Sequence, residues 1–247
     1  MLNVITLCLD FGNTRLKYGV FKNDELIDSD GLMDHSVDTI KKLLDTYKPQ
    51  RTMLSSVIHH DKKVEELLHD KSDLILLDSN VRLPFSTPVG KPESIGADRL
   101  AISAYAVTFY PNKNNLIIAL GSCITYNFVN KYNYFLGGGI SPGMGMRFRG
   151  MHEYTARLPL INSDWQFPLV GYDTRTNMLS GVMLGMAEEI NGIIRRYEEK
   201  FLNFNVLLTG GDSVDFACHI KYKIFADPAL ILKGLYAISK YNHENKS

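Results

Sequence analysis

The sequence predicts an α/β protein made of two halves that share one layout, and three observations carry that prediction. Strand-like and helix-like segments alternate from residue 2 to residue 109. An apolar strand, a glycine-polar turn and an antiparallel strand open the chain at Val4, and the same series opens again at Leu116. A polar break over 111–115 separates the two, which sets the expected domains at 1–112 and 113–247.

In the first half, residues 2–9, 15–22 and 25–29 read as successive strands joined by turns at Gly12-Asn13 and Asn23-Asp24. Val37, Ile40, Leu43 and Leu44 share one face of a helix over 36–47. His59-His60-Asp61 reads as the start of a second helix, 61–69, with Val64, Leu67 and Leu68 on its inner face. Residues 52–58 and 74–77 are strands. Residues 80–95 carry Pro84, Pro88 and Pro92 and read as a surface loop, a common place for function. That loop delivers the chain to Gly96-Ala97-Asp98-Arg99 and an alanine-rich helix ending at Phe109.

The second half begins with strand 116–120, the turn Gly121-Ser122 and strands 124–130 and 132–137. A glycine-rich connection, 137–143, leads into a helix ending near Leu158. The longest helix, 174–201, carries Leu179, Val182, Met183, Met186, Ile190, Ile193, Ile194, Tyr197 and Phe201 at three- and four-residue steps, a stripe for the core or for a subunit interface. Strand 206–209 runs into Gly210-Gly211-Asp212, and a helix over 228–241 follows.

Composition narrows the function. Hydrophobic residues make up 45% and charged residues 22%, as in soluble globular proteins. The 27 Lys and Arg balance the 27 Asp and Glu with no basic run, which argues against nucleic acid or an acidic membrane surface as partner. No segment reads as a membrane span, and the apolar N-terminus, interrupted by Asp10, reads as a core strand and not a leader. Cys8, Cys123 and Cys218 form no Cys-x-x-Cys pair, which suits reduced thiols in the cytosol, and Cys123 reads as a small buried residue. The seven histidines show no metal-ligand spacing.

The chemistry concentrates in Asp10-Phe11-Gly12-Asn13-Thr14-Arg15-Leu16-Lys17. A carboxylate ends a strand, glycine lets the backbone turn, Asn13 and Thr14 supply short polar groups, and Lys17 follows on the next strand. Such a turn offers backbone N–H groups, a hydroxyl, an ammonium and a metal-orienting carboxylate to one polyphosphate. The plainer alternative is an ordinary β-hairpin. Glycine turns after the apolar strands at Gly12, Gly121 and Gly210-Gly211 suggest a nucleotide held between two lobes. Neither a P-loop, a dinucleotide-binding glycine fingerprint nor a protein-kinase catalytic loop is present, so ATP would sit in another architecture.

Asp10-x-Gly12-Asn13-Thr14-x-x-Lys17, Gly96-Ala97-Asp98-Arg99, Gly121-Ser122, Gly138-Gly139-Ile140-x-Pro142-Gly143, Leu158-Pro159 and Gly171-x-x-Thr174 occur in the order and rough spacing of type III pantothenate kinases, which the chain resembles from Val4 to Asp212. The resemblance implies the acetate-kinase/Hsp70/actin superfold, with two duplicated actin-like (ribonuclease H-like) domains and a nucleotide cleft between them. It implies ATP-dependent phosphorylation of pantothenate to 4'-phosphopantothenate, the first step towards coenzyme A, by a cytoplasmic homodimer using magnesium. Asp98 would then be the base that takes the proton from the pantothenate alcohol; its alternative is a carboxylate favoured by a helix dipole. Arg99 would hold the substrate carboxylate, Gly96 and Ala97 would leave room for substrate, and Thr174 would hydrogen-bond to it or cap the long helix. Asp10, Phe11, Gly12, Asn13, Thr14, Arg15, Leu16 and Lys17 would hold the ATP phosphates, with Asp10 orienting magnesium directly or through water. Ser122 stands where the family usually has an ATP-contacting threonine.

The sequence departs from the family at two places. The resemblance implies an activating monovalent cation, potassium or ammonium, and Ala119 replaces the aspartate that helps bind it, so the expected cation site lacks its charged ligand. Val89 stands where many members have a substrate-side tyrosine. Arg147, Arg149 and Arg157, placed on the helix after Pro142, read as solvated surface. Two rival functions remain: a kinase of the same superfold acting on another small alcohol such as a sugar, and a non-catalytic regulator binding a nucleotide or metabolite. Asn13 and Arg99 favour an acidic substrate, and Asp10, Lys17, Asp98, Arg99 and Ser122 together favour catalysis.

Overall fold

The computed structural model describes residues 4–78, 80–87 and 95–245. The chain forms two compact units, each around a five-stranded sheet.

The first sheet has the order β3-β2-β1-β4-β5, built from β1 (Ile5–Phe11), β2 (Leu16–Lys22), β3 (Glu25–Leu32), β4 (Arg51–Ser56) and β5 (Asp73–Leu76). β1 is central because six of its seven residues are buried, the pattern of a strand covered on both faces. It pairs antiparallel with β2 and parallel with β4, which pairs parallel with β5. Leu7, Leu9, Phe11, Val20 and Leu54 pack against Ile40 and Leu44 of α1 (Val37–Tyr47) and Val64 and Leu68 of α2 (Lys62–Lys71). Ser36 caps α1 by accepting from the Thr39 N–H, and Asp61 caps α2 by accepting from Lys63 N–H, which places the helix starts where the sequence expects them.

The opposite face carries α3 (Ala97–Phe109) and α8 (Leu230–Glu244). Gly19, in register with Cys8, lies against Leu232, and the rings of Phe21 and Tyr236 stack at 4.3 Å. A Cβ on Gly234 would meet the Ala101 carbonyl oxygen at 2.0 Å, so glycine is what lets α8 lie directly on α3. The first unit comprises Met1–Asn112, Val129–Leu136 and Ala229–Ser247, and the second Lys113–Phe128 and Gly137–Pro228. The close contact of α8 with α3 is what joins the C-terminal helix to the first unit, and nothing local in the C-terminal sequence announces it.

The second sheet has the order β10-β9-β6-β7-β8, from β6 (Asn114–Leu120), β7 (Cys123–Val129), β8 (Phe135–Pro142), β9 (Phe204–Thr209) and β10 (Ile224–Ala226). β6 and β9, and β9 and β10, run parallel. The glycine-rich 137–139 stretch is therefore strand and not connection: a Cβ on Gly138 would fall 1.8 Å from the Tyr126 carbonyl oxygen, so the backbones pack too closely for any side chain. α4 (Met144–Glu153) stops before Leu158, leaving Arg157 outside the helix. The expected long helix is α5 (Thr174–Leu179), a π-helical segment (Ser180–Leu184) and α6 (Gly185–Lys200). Its apolar stripe is core: Leu179, Val182, Met183, Met186, Ile190 and Ile194 pack with Ile118, Tyr126, Phe128 and Leu208. The short α7 (Ser213–Ala217) follows β9. Among the described residues no helix is long and apolar enough to cross a membrane.

Candidate active site

Asp10 is next to last in β1, in register with Lys17 on β2 and Ser55 on β4. Residues opposite one another on neighbouring strands share a face, so the carboxylate lies between an ammonium and a hydroxyl. Ser55 Oγ donates to Asp10 Oδ1 over a long 3.4 Å. Asp10 is 8% exposed. Burial pushes its carboxyl up to about 6; Lys17 pulls it down, the nearby Asp98 carboxylate pushes it up, and Ser55 lowers it. The structure thus brings Asp10, Lys17 and Asp98 into one electrostatic cluster.

The turn beyond is closed by Gly12 N–H donating to the Arg15 carbonyl at 3.2 Å. Asn13, Thr14 and Arg15 are exposed at its tip, and Gly12, Leu16 and Lys17 are half-buried. Phe11 is fully buried with its ring centroid 5.8 Å from His35 and 5.6 Å from His60, so its side chain anchors the turn.

Gly96 is the N-cap of α3 and makes no side-chain cap. A Cβ there would lie 2.6 Å from Asp98 Oδ1, so the Gly96 position is kept clear for the Asp98 carboxylate itself. Asp98 and Ala97 sit in the first turn, where backbone N–H groups and the helix dipole favour negative charge. Arg99 holds its guanidinium over the Phe135 ring at 5.6 Å.

In the second unit, the Ser122 carbonyl accepts from Gly143 N–H at 3.0 Å, and a Cβ on Gly143 would meet the Gly121 oxygen at 2.1 Å. Gly210, at φ +101°, sits equally close to the Leu120 carbonyl, whose oxygen also accepts from Asp212 N–H at 3.2 Å. The second and third glycine turns are thus adjoining corners of one sheet. Ala119 lies in register with Thr209, whose hydroxyl donates to the Asp227 carbonyl at 2.8 Å.

Several expectations change. Thr174 is exposed at the start of α5 but does not cap it; Asp173, one residue earlier, is the N-cap and forms a capping box with Thr176. Arg147 is half-buried and ion-paired with Glu189, while Arg149 and Arg157 are exposed as expected. Cys123 is partly exposed. Val89 lies outside the described residues. Sequence reasoning missed Ser55 and Glu189. Ser55 was visible as a hydroxyl directly after the apolar pair Met53-Leu54, and Glu189 as a carboxylate directly before Ile190 of the core stripe. Burial pushes Glu189 up, but hydrogen bonds from Ser141, Arg147 and Tyr126 outweigh it and hold its carboxyl below its ordinary value.

Among the described residues no group of three or more His, Cys, Asp and Glu gathers to cage an ion. One or two carboxylates suit magnesium, which keeps waters and takes its remaining ligands from substrate phosphates. Ala119 offers a monovalent cation no side-chain oxygen, so the position does not fit the expected cation site.

The family model described as type III pantothenate kinase matches residues 6–196. A type III pantothenate kinase of Christiangramia forsetii is 36% identical over 96% of this chain and 99% of its own length. One of Bacteroides fragilis is 35% identical over 97% and 99%. Among solved structures, a Campylobacter jejuni protein named for the Baf family of transcriptional activators aligns with TM-score 0.63 at 22% identity, covering 96% of this chain and 99% of that one. The ROK hexokinase of Thermus thermophilus aligns with TM-score 0.50 at 11% identity, over 98% and 100%, a likeness of fold alone. The family match takes in the Asp10–Lys17 turn, Gly96–Arg99 and the Gly121–Ser122 turn, and the chain belongs to the type III pantothenate kinase family.

Proposed function

We propose that this protein transfers the γ-phosphoryl group of ATP to the primary alcohol of pantothenate, giving ADP and 4'-phosphopantothenate, the first step towards coenzyme A. The observation that carries the reading is the clustering of Asp10, Lys17 and Asp98. Phosphoryl transfer asks mainly for positioning, charge neutralisation and an acceptor for the hydroxyl proton, and this cluster provides all three. Asp98 takes the proton as the new O–P bond forms and the bond to ADP breaks. Lys17 and the backbone of 12–15 hold the transferred phosphates, and Ser122 is read as a further contact of ATP. Magnesium, when bound with ATP, supplies charge neutralisation, and Asp10 orients it. Arg99 holds the substrate carboxylate with its planar guanidinium fixed over Phe135. Thr174, exposed and not engaged in capping, donates to the substrate.

The working form is a homodimer in the cytoplasm. Tyr154, Leu169, Val170 and Tyr172 are 89%, 77%, 81% and 79% exposed, apolar surface that a second copy would cover. The balanced charge supports a small-molecule substrate over nucleic acid.

The test is incubation of the purified protein with ATP, magnesium and pantothenate. ADP and 4'-phosphopantothenate in equal amounts are expected. Turnover of a sugar with none of pantothenate would overturn the reading.

A further inference from the structure

We propose that Glu189 and Arg147 are positioning residues that hold the Gly121–Ser122 turn in the setting that nucleotide phosphate requires. Their side chains are 26% and 21% exposed. A pair of charges removed this far from water gives little net stability that apolar packing would not give as well. Its geometry shows a different use. On α6, Glu189 Oε1 accepts from Ser141 Oγ at 2.5 Å and from the Tyr126 hydroxyl at 3.0 Å, and Oε2 accepts from Arg147 Nη2. On α4, Arg147 also donates through Nε to the Pro142 carbonyl at 2.8 Å and through Nη2 to Ser141 Oγ at 3.2 Å. One carboxylate and one guanidinium thereby tie β7, β8, α4 and α6 together where β8 turns into α4.

The same corner supports the phosphate turn. Gly143, directly after Pro142, donates its N–H to the Ser122 carbonyl at 3.0 Å. Its Cα packs so tightly that an added Cβ would lie 2.1 Å from the Gly121 oxygen and 2.8 Å from the Ser122 oxygen. Contacts this close transmit displacement, so a shift of Pro142–Gly143 moves Ser122 with it. Arg147 grips the carbonyl immediately before Gly143, and Glu189 fixes the plane of Arg147. Neither residue needs to touch the nucleotide. The inference rests on the reading of Ser122 as a nucleotide contact.

Steady-state kinetics on the full chain separate the two. Glu189→Gln keeps the shape and removes the charge; it is expected to raise the KM for ATP about tenfold, the worth of one charge-assisted hydrogen bond. The KM for pantothenate should stay unchanged. Arg147→Met should act alike, and the double variant should be no worse than Arg147→Met alone, because the residues act as one unit. Ser122→Ala should also raise the KM for ATP. An unchanged KM for ATP in Glu189→Gln, or equal rises for both substrates, would overturn the inference while leaving Ser122 in place. An unaffected KM for ATP in Ser122→Ala would instead remove the reading on which it stands. If Glu189→Gln does not fold, Ser141→Ala deletes a single hydroxyl of the network and carries the same comparison.

Discussion

The first unit's sheet, β3-β2-β1-β4-β5, and the second unit's, β8-β7-β6-β9-β10, match strand for strand, including the parallel pairs β1·β4 and β6·β9. Asp10, next to last in β1, therefore corresponds to Ala119, next to last in β6, and each faces a hydroxyl residue on the parallel neighbour, Ser55 or Thr209. The backbone corner is the same and the charge is not. In the first unit the corner carries a buried carboxylate beside an ammonium. In the second it offers backbone and Ser122, and the charges stand behind the turn as Arg147 and Glu189. Duplicated topology supplies the same backbone corner twice, and the side chains make the two chemically different.

The comparison breaks most sharply at Asp98, which belongs to the charged corner. Asp98→Asn should fold normally and lose about 10²–10⁴-fold in turnover, the usual worth of positioned proton transfer. Near wild-type turnover would strip the first unit of its chemical role.

Asp10→Asn comes next, with opposite effects on activity and stability. Turnover should fall about 10²-fold with the loss of a preorganised charge. The ligand-free protein should become more stable. The Asp10 carboxyl moves from an ordinary 3.8 to about 6 on folding, so the folded state binds its proton more tightly than the unfolded state does. Stability from this group is present at low pH, is lost as pH rises between those two values, and is flat above them. Removing the charge should recover roughly 3 kcal/mol at pH 7.5 and nothing at pH 3. Urea denaturation at both values measures this, and a variant less stable than wild type at pH 7.5 would contradict the buried-charge account.

The smallest effect is expected at Ala119. Wild type should turn over equally in potassium and in sodium. Ala119→Asp makes the two corners alike and should introduce a preference for potassium on the order of a few-fold, since a carboxylate supplies the missing oxygen ligand. A wild-type rate that collapses in sodium would show that other groups hold the cation.

Much of this was legible in the sequence, for local reasons. An apolar run ending in Asp10 and Gly12 specifies a strand and its turn, and Ser36 and Asp61 announce the helices they cap. What could not be read depends on partners distant in the chain. Glycines 137–139 look like punctuation until the Tyr126 carbonyl is seen against Gly138. Arg147 looks like surface because Glu189 lies 42 residues away. Thr174 looks like a cap because Asp173 competes from the adjacent position and wins by accepting from Thr176 N–H at 2.7 Å. The allocation of α8 was hidden for the same reason, since its apolar face would suit either sheet.

That allocation has a consequence for how the molecule is made. The first unit is discontinuous: its sheet is translated first, yet the helix that seats Gly234 on Ala101 is translated after the whole of the second unit. During synthesis the second unit has all its strands while the first still has one face of α3 bare, and burying that face requires closing a loop of well over one hundred residues. The unit that carries Asp10 and Asp98 is thus completed after the other, and the strand and turn that bear Asp10 emerge long before the helix that backs α3.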